Sequence, residues 1–186
     1  MTLTTVLFAG GKSRRMGVEK ATLPFAGEPL WSRQLNVLRE LKPEALWISA
    51  RSRPGWCPAE IDVVLDAPPA RGPLSGLAAV LGRLQTSHVL ALAVDLPDMT
   101  ADHLRDLWKA ARPGCGVIPV NESFFEPLCA IYPVEAATEA AQAGDGSLQN
   151  LAQRLVLQNR AAPYALTTRE RRLYRNLNTP EDLAEG

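Results

Sequence analysis

A glycine-rich and strongly basic segment follows the first apolar stretch of the chain. It consists of AGGKSRRMG over residues 9–17, followed by Glu19 and Lys20. Adjacent glycines let backbone N–H groups face a ligand and the cations supply positive charge, so the pattern is typical of a polyphosphate site at the end of a strand. The segment is not a P-loop, because G-x-x-x-x-G-K-[ST] would require a glycine at position 6, where the chain has Val6, and the spacing G-x-G-x-x-G is also absent. A solvated basic turn remains an alternative for this segment taken alone.

Asp95 comes directly after the apolar segment VLALAV of residues 89–94. The carboxyl ends of parallel strands are where α/β proteins bind ligands, and Mg²⁺ prefers one or two carboxylates together with phosphate oxygens. A carboxylate at the end of so apolar a strand is costly to bury without a partner. We therefore predict that Asp95 is a metal ligand, whereas Asp98 is expected to cap a helix or to lie at the surface.

The other polar candidates carry a weaker signal. Asp66 ends the apolar segment IDVVL and precedes a loop rich in proline and glycine, but by itself it fits an ordinary turn. Glu126 and Pro127 fall within a predicted strand and are interpreted as structural. Asn176 and Asn178 are interpreted as residues that shape the turn before the last helix.

Alternating strands and helices must position these side chains. The strands are continuously apolar, which is typical of a parallel sheet with helices on both faces. After residue 120 the pattern changes to a strand over Phe124–Tyr132, expected at an edge or bulge because it contains Pro127. A helix over about 134–143 follows, and Ser147 and Thr179 are predicted to cap two further helices. The remaining predicted strands are Leu3–Phe8, Ala45–Ala50, Ile61–Leu65, Val89–Val94 and Cys115–Val120, and the helices are Leu30–Leu41, Leu74–Leu84 and Ala101–Ala111 with Thr100 as its cap.

Composition excludes several classes of protein. The 186 residues, with 20 basic and 20 acidic side chains, predict one domain over 1–186 without the excess positive charge of a nucleic-acid or membrane binder. Three cysteines without a C-x-x-C pair and two isolated histidines, His88 and His103, do not form a zinc motif or a catalytic one. No positive charge precedes the first apolar stretch, so we expect no secretory signal and a cytoplasmic protein.

Taken together, the motifs resemble the molybdenum cofactor guanylyltransferases, the MobA family. The similarity runs from about residue 3 to residue 183 and rests on AGGKSRRMGVEKA, on Asp66 followed by GPLSGL, and on VDLPDM, FEPLCAIY and NLNTPEDL in the family's order. It implies a Rossmann-like three-layer α/β/α fold with a mostly parallel sheet. It also implies the transfer of GMP from GTP to the terminal phosphate of molybdopterin, with Mg²⁺ as cofactor and with transient contacts to other cofactor-biosynthesis proteins or molybdoenzymes.

The resemblance also implies roles for single residues. Lys20, Asp95 and Arg15 would be catalytic, with Lys20 on the phosphates, Asp95 on Mg²⁺ and Arg15 as a charge partner. Asp66 would contact the nucleotide, and Asn178 would contact molybdopterin. The nucleotide would be held through the backbone of Phe8, Ala9 and Gly10, and the segment from Gly11 to Gly17 would wrap the triphosphate.

The sequence departs from the family pattern at two positions. Glu19 stands where aspartate usually precedes the lysine, and Ser49 stands where some members have an asparagine that contacts the nucleotide. A hydroxyl does not offer the paired donor and acceptor of an amide, so the choice of guanine is less firmly implied than nucleotidyl transfer. The alternatives are a molybdopterin cytidylyltransferase, a sugar-phosphate nucleotidyltransferase and a non-catalytic nucleotide-binding module.

Overall fold

Strand and helix bounds follow the predicted alternation closely in the first two thirds of the chain. The computed structural model describes residues 1–9, 19–66, 72–143 and 146–177. Its strands are β1 (Leu3–Phe8), β2 (Pro24–Phe25), β3 (Glu28–Pro29), β4 (Ala45–Ala50), β5 (Asp62–Leu65), β6 (His88–Ala93), β7 (Gly116–Asn121), β8 (Phe124–Phe125), β9 (Cys129–Pro133) and β10 (Ala161–Ala165). Its helices are α1 (Leu30–Arg39), α2 (Pro73–Arg83), α3 (Ala101–Ala110), α4 (Ala137–Ala141), α5 (Leu148–Leu157) and α6 (Thr168–Arg171), with short 3-10 turns at Lys20–Thr22, Val134–Ala136 and Arg172–Tyr174.

One mixed sheet forms the centre of the described structure. Its strand order is β10-β7-β9-β6-β1-β4-β5, with β8 paired to β7, while β2 and β3 form a separate hairpin. The pairs β6-β1, β1-β4, β4-β5 and β10-β7 are parallel. The pairs that β9 makes with β6 and β7 are antiparallel. The predicted mostly parallel sheet is therefore confirmed.

Apolar side chains alternate between the two faces of this sheet and form two cores. In β1, Leu3 and Leu7 pack into one core with α1 and α3, whereas Val6 and Phe8 pack into the other with α2, α4 and α5. The central strands β1 and β6 are buried along their whole length. Helices thus cover both faces, which explains why apolar residues in these strands are not confined to alternate positions.

The strand around Pro127 differs from its prediction. The segment Phe124–Tyr132 forms two strands, β8 and β9, and β9 lies inside the sheet between β6 and β7. The expectation of an edge or bulge is wrong because Pro127 lies in the connection between the two strands, where its missing N–H costs no ladder hydrogen bond.

Most of the other differences lie in the last third of the chain. The helix expected over 134–143 is a 3-10 turn followed by the short helix α4. The strand β10, helix α6 and the hairpin of β2 and β3 were not predicted, because each is short and lacks a sustained apolar period. Ser147 does cap α5 and Thr100 caps α3, as predicted. The predicted cap at Thr179 lies outside the described residues.

None of the described helices is long and apolar enough to cross a membrane.

Candidate active site

Those predicted site residues that the structure describes lie around a crevice outside the carboxyl end of β1. The chain leaves β1 for β4 on one side of it and later returns to β6 on the other side. Such a reversal of strand order is where open α/β sheets bind ligands, since the two connections diverge and leave a gap. The neighbouring strands are hydrogen bonded up to this edge, with the Ala9 N–H donating to the Ser49 carbonyl at 3.0 Å and the Val94 N–H to the Phe8 carbonyl at 3.1 Å.

Lys20 and Asp95 form an ion pair at this edge. Lys20 Nζ lies 3.0 Å from Asp95 Oδ2, and the two side chains are 21% and 24% exposed. Asp95 follows β6, and Lys20 begins the 3-10 turn that comes after the glycine-rich segment. The fold therefore brings together the two groups whose types suit phosphates and a divalent cation.

A second group of site residues surrounds Gly76 in α2. A methyl group on Gly76 would lie 2.7 Å from Ser49 Oγ, 2.9 Å from Asp66 Oδ1 and 3.3 Å from Phe8 Cε1. Only glycine leaves room for these three side chains, which come from the ends of β1, β4 and β5. Sequence reasoning did not single out Gly76, although a glycine within a helical segment is itself a signal of close packing.

Burial changes the acid strength of Asp66. Partial burial raises the pKa of its carboxyl group, and the positive charge of Arg51 opposes that rise. Ser49 is 2% exposed, so its hydroxyl faces the interior of this group of residues and not the solvent.

Other predicted positions are described in part or not at all. The Phe8 carbonyl and the Ala9 N–H take part in sheet hydrogen bonds. Their predicted nucleotide contacts stay a prediction. Arg15, Gly10, Gly11 and Asn178 lie outside the described residues.

The segment that leads to residue 178 reaches the site. The Leu177 N–H donates to the Asp95 carbonyl at 3.0 Å. Arg175 Nε donates to Asp98 Oδ2 at 3.0 Å. Asp98 therefore does not cap α3, whose cap is Thr100, but lies at the surface with its side chain 34% exposed, as the alternative prediction had it. These contacts hold the end of the described chain beside Asp95.

A cavity of about 250 Å³ opens next to Asp95. The residues that line it include Asp95, Asn176, Glu126, Pro127 and Leu148. The structural interpretation of Glu126 and Pro127 was therefore incomplete, because both also border this cavity. Their position in FEPLCAIY, one of the motifs that carry the family resemblance, was the available signal.

Glu19 makes a contact of its own. The Trp56 indole N–H donates to Glu19 Oε1 at 2.9 Å, and the Trp56 ring stacks on Trp31 with centroids 5.3 Å apart. The longer side chain at position 19 thus links the residue before Lys20 to the β4–β5 connection.

The described fold is that of a nucleotidyltransferase. It aligns with a nucleotidyl transferase from Methanothermobacter at a TM-score of 0.80, covering 99% of this chain and 95% of the other at 17% identity. At the sequence level, the model of the MobA-like NTP transferase domain matches residues 5–161. The chain belongs to the MobA-like NTP transferase family, and the predicted family and fold class are confirmed.

Two relatives align over nearly their full length. A protein from Opitutus terrae named probable molybdenum cofactor guanylyltransferase is 37% identical over 97% of this chain and 92% of its own. A protein from Cereibacter sphaeroides named molybdenum cofactor guanylyltransferase is 33% identical over 100% of this chain and 96% of its own.

Proposed function

We propose that this protein transfers the GMP group of GTP to the terminal phosphate of molybdopterin and releases pyrophosphate. Relatives that carry the name molybdenum cofactor guanylyltransferase align over almost the whole chain and support this choice of substrates. The structural observation that carries the proposal is the 3.0 Å contact between Lys20 Nζ and Asp95 Oδ2 at the reversal of strand order. A cation and a carboxylate at this point suit a nucleoside triphosphate and its metal ion.

Different residues of the crevice are suited to different parts of the two substrates. Asp66 and Ser49, packed against Gly76, are suited to the nucleoside of GTP because they offer an acceptor and a hydroxyl beside the end of β1. Lys20 is suited to the phosphates, and we assign Arg15 to the same task on the family resemblance. Gly10 and Gly11 would contribute backbone N–H groups to the triphosphate, and Asn178 would contact molybdopterin.

The chain fits Mg²⁺ as the metal. Asp95 offers a carboxylate that is partly open to solvent, and no cluster of three or more metal-binding side chains occurs among the described residues. A single carboxylate suits Mg²⁺, which completes its shell with phosphate oxygens and water, better than metals that need three or four protein ligands. Bound to Asp95 and the nucleotide, Mg²⁺ would neutralise charge on the phosphates during transfer.

The reaction requires positioning and charge neutralisation more than acid–base chemistry. An oxygen of the acceptor phosphate forms a bond to the α-phosphorus of GTP, and the bond from that phosphorus to the bridging oxygen breaks, with the electron pair leaving on pyrophosphate. The attacking phosphate is already ionised near neutral pH, so no general base is needed. Lys20 and Arg15 would hold the phosphates in line and stabilise their charge.

We also propose that the reaction takes place in the cytoplasm. Cys57, Cys115 and Cys129 are free thiols, which is usual for proteins of reducing compartments. Delivery of the product to an apoenzyme would require transient contacts with molybdoenzymes or with other proteins of cofactor biosynthesis.

Label transfer tests the proposed reaction. We expect label from the α-phosphate of GTP to appear in a molybdopterin product when Mg²⁺ is present and to stay in the nucleotide when the metal is chelated. GTP labelled at the γ-phosphate is the matched control, because its label must leave with pyrophosphate. A product that retains the γ-label would mean a different transfer and would contradict the proposal.

A further inference from the structure

The cavity beside Asp95 has a lining and a volume that suit the binding of a ring system. Its walls include the apolar side chains of Phe125, Pro127, Leu128 and Leu148, and Glu126 is among its polar lining residues. Small-molecule sites typically combine mostly apolar walls with a few polar groups that fix orientation. The volume of about 250 Å³ lies just below the roughly 300–1,000 Å³ of drug-sized sites, so it suits one fused ring system and not a whole nucleotide.

Glu126 is held rigidly at this pocket. Its N–H donates to the Pro119 carbonyl at 2.8 Å, and its own carbonyl accepts from the Cys129 N–H at 3.0 Å. Its side chain accepts a hydrogen bond from Asn121 Nδ2 at 3.2 Å through Oε1. Among the described residues no lysine or arginine is paired with this carboxylate, so it can accept further hydrogen bonds from a ligand.

The next residues fix the backbone around Glu126. Gln149 of α5 accepts from the Phe125 N–H at 3.1 Å and donates to the Phe125 carbonyl at 2.7 Å. The Tyr132 hydroxyl donates to the Pro127 carbonyl at 2.7 Å. A carboxylate positioned in this way can discriminate between ligands, because the segment that carries it loses little conformational freedom when a ligand binds.

We propose that Glu126 selects the acceptor by accepting hydrogen bonds from the pterin ring of molybdopterin. This proposal rests on the proposed function and adds a residue that determines specificity. A pterin presents an exocyclic amino group beside a ring N–H, and a carboxylate matches such a pair of parallel donors with its two oxygens. Discrimination follows because an analogue that lacks the amino group leaves a partly buried carboxylate without its partner.

The orientation of the acceptor follows from charge. None of the described lining residues of the pocket is a lysine or arginine, so the pocket is unsuited to the phosphate of the acceptor. The ammonium group of Lys20, which suits a phosphate, instead lies at Asp95. The phosphate of molybdopterin therefore lies toward Asp95 and Lys20, and its ring lies toward Glu126.

The test compares two free ring systems as inhibitors of GMP transfer. One is 6-hydroxymethylpterin, and the other is the matching lumazine, in which a carbonyl replaces the exocyclic amino group. For the wild-type protein we expect the pterin to inhibit at least about tenfold more strongly than the lumazine, the difference expected for a hydrogen bond to a charged group. For Glu126→Gln we expect this ratio to fall close to one, because an amide cannot accept from both donors.

A matched control and a kinetic comparison separate this role from others. Glu122→Gln removes an equal charge from the same hairpin, but Glu122 is exposed and contacts Arg171, so the inhibitor ratio should stay at its wild-type value. In Glu126→Gln the KM for molybdopterin should rise at least about tenfold, while the KM for GTP and the Mg²⁺ dependence stay unchanged.

Each contrary result has a distinct meaning. An unchanged inhibitor ratio in Glu126→Gln, or no inhibition of the wild-type protein by millimolar pterin, would overturn the role of Glu126. A shifted Mg²⁺ dependence with an unchanged ratio would also overturn it and assign Glu126 to metal binding. Absence of GMP transfer by the wild-type protein would instead contradict the proposed function itself.

Discussion

At the scale of single residues, the site depends most on the carboxylate of Asp95. Asp95 contacts Lys20 at 3.0 Å and is the residue to which we assign Mg²⁺. Both roles require the negative charge of Asp95 and not only its shape. Replacing it with asparagine therefore separates the charge from the packing of the surrounding segment.

We predict that Asp95→Asn lowers kcat by roughly 100-fold or more while leaving the fold intact, because charge stabilisation in the transition state is lost. Pyrophosphate release measures the rate, and circular dichroism with urea unfolding measures the fold. The matched control is Asp102→Asn, which changes an aspartate that is 90% exposed in the first turn of α3 and should leave kcat unchanged. A fully active Asp95→Asn variant with normal Mg²⁺ dependence would contradict the metal assignment.

Gly76 gives a second test at this scale. We predict that Gly76→Ala raises the KM for GTP, because the new methyl group would lie under 3.0 Å from Ser49 Oγ and Asp66 Oδ1 and must displace them. Gly82→Ala is the control, since a methyl group there meets no atom within 4 Å. Steady-state kinetics with varied GTP measures the change. An unchanged KM would mean that Ser49 and Asp66 are not part of the nucleotide site.

At the scale of elements, the pocket depends on a clamp between α5 and β8. Gln149 makes two hydrogen bonds to the backbone of Phe125, so the helix fixes the segment that carries Glu126. Neither the clamp nor the inner position of β9 could be predicted from the sequence. Both depend on which strands become neighbours, and a short apolar strand near a proline is compatible with several places in a sheet.

We predict that Gln149→Ala lowers the free energy of unfolding by about 1–3 kcal/mol, because two net contributions of about 0.5–1.5 kcal/mol are lost. Asn150→Ala is the control, because this neighbouring side chain is exposed and its effect should stay within about 0.5 kcal/mol. Urea unfolding measures both variants. Equal effects of the two changes would show that the clamp does not stabilise the fold.

At the scale of the whole molecule, the sequence predicted the order of elements better than their assembly. The largely apolar segments at Leu3–Phe8 and Val89–Val94 identified buried parallel strands, because burial on both faces leaves a strong and local signal. Asp95 was predictable for the same reason, since it ends one of these strands. The roles of Gly76 and of the pocket beside Glu126 were missed. The helical glycine and the FEPLCAIY motif were signals, but the contacts that define both roles join segments far apart in sequence.

The two histidines give the molecule a predictable response to acid. Burial lowers the pKa of both His88 and His103 below the ordinary value of 6.5, although Glu170 opposes the shift at His103. As the pH falls through 6.5, the unfolded chain therefore takes up protons before the folded one does. Acid favours unfolding in this range, and each histidine contributes at most about 1.4 kcal/mol per pH unit.

We predict that the wild-type protein loses more stability between about pH 7.5 and about pH 5.5 than the double variant His88→Gln/His103→Gln, which contains no histidine. Urea unfolding at the two pH values measures the difference. Asp66 and Glu126, whose pKa values are raised by burial, favour the folded state as the pH falls, but they do so in both proteins. An equal loss in both proteins would contradict the role of the histidines.

The most direct test of the central claim is pyrophosphate release by the purified protein with Mg²⁺ and molybdopterin, comparing GTP, CTP, ATP and UTP in parallel. We expect turnover with GTP and none with the other three nucleotides. This result would also show that Ser49, in place of the asparagine found in some members of the family, does not compromise the choice of base. A preference for CTP, or no turnover with any nucleotide, would contradict the claim that the protein is a molybdopterin guanylyltransferase.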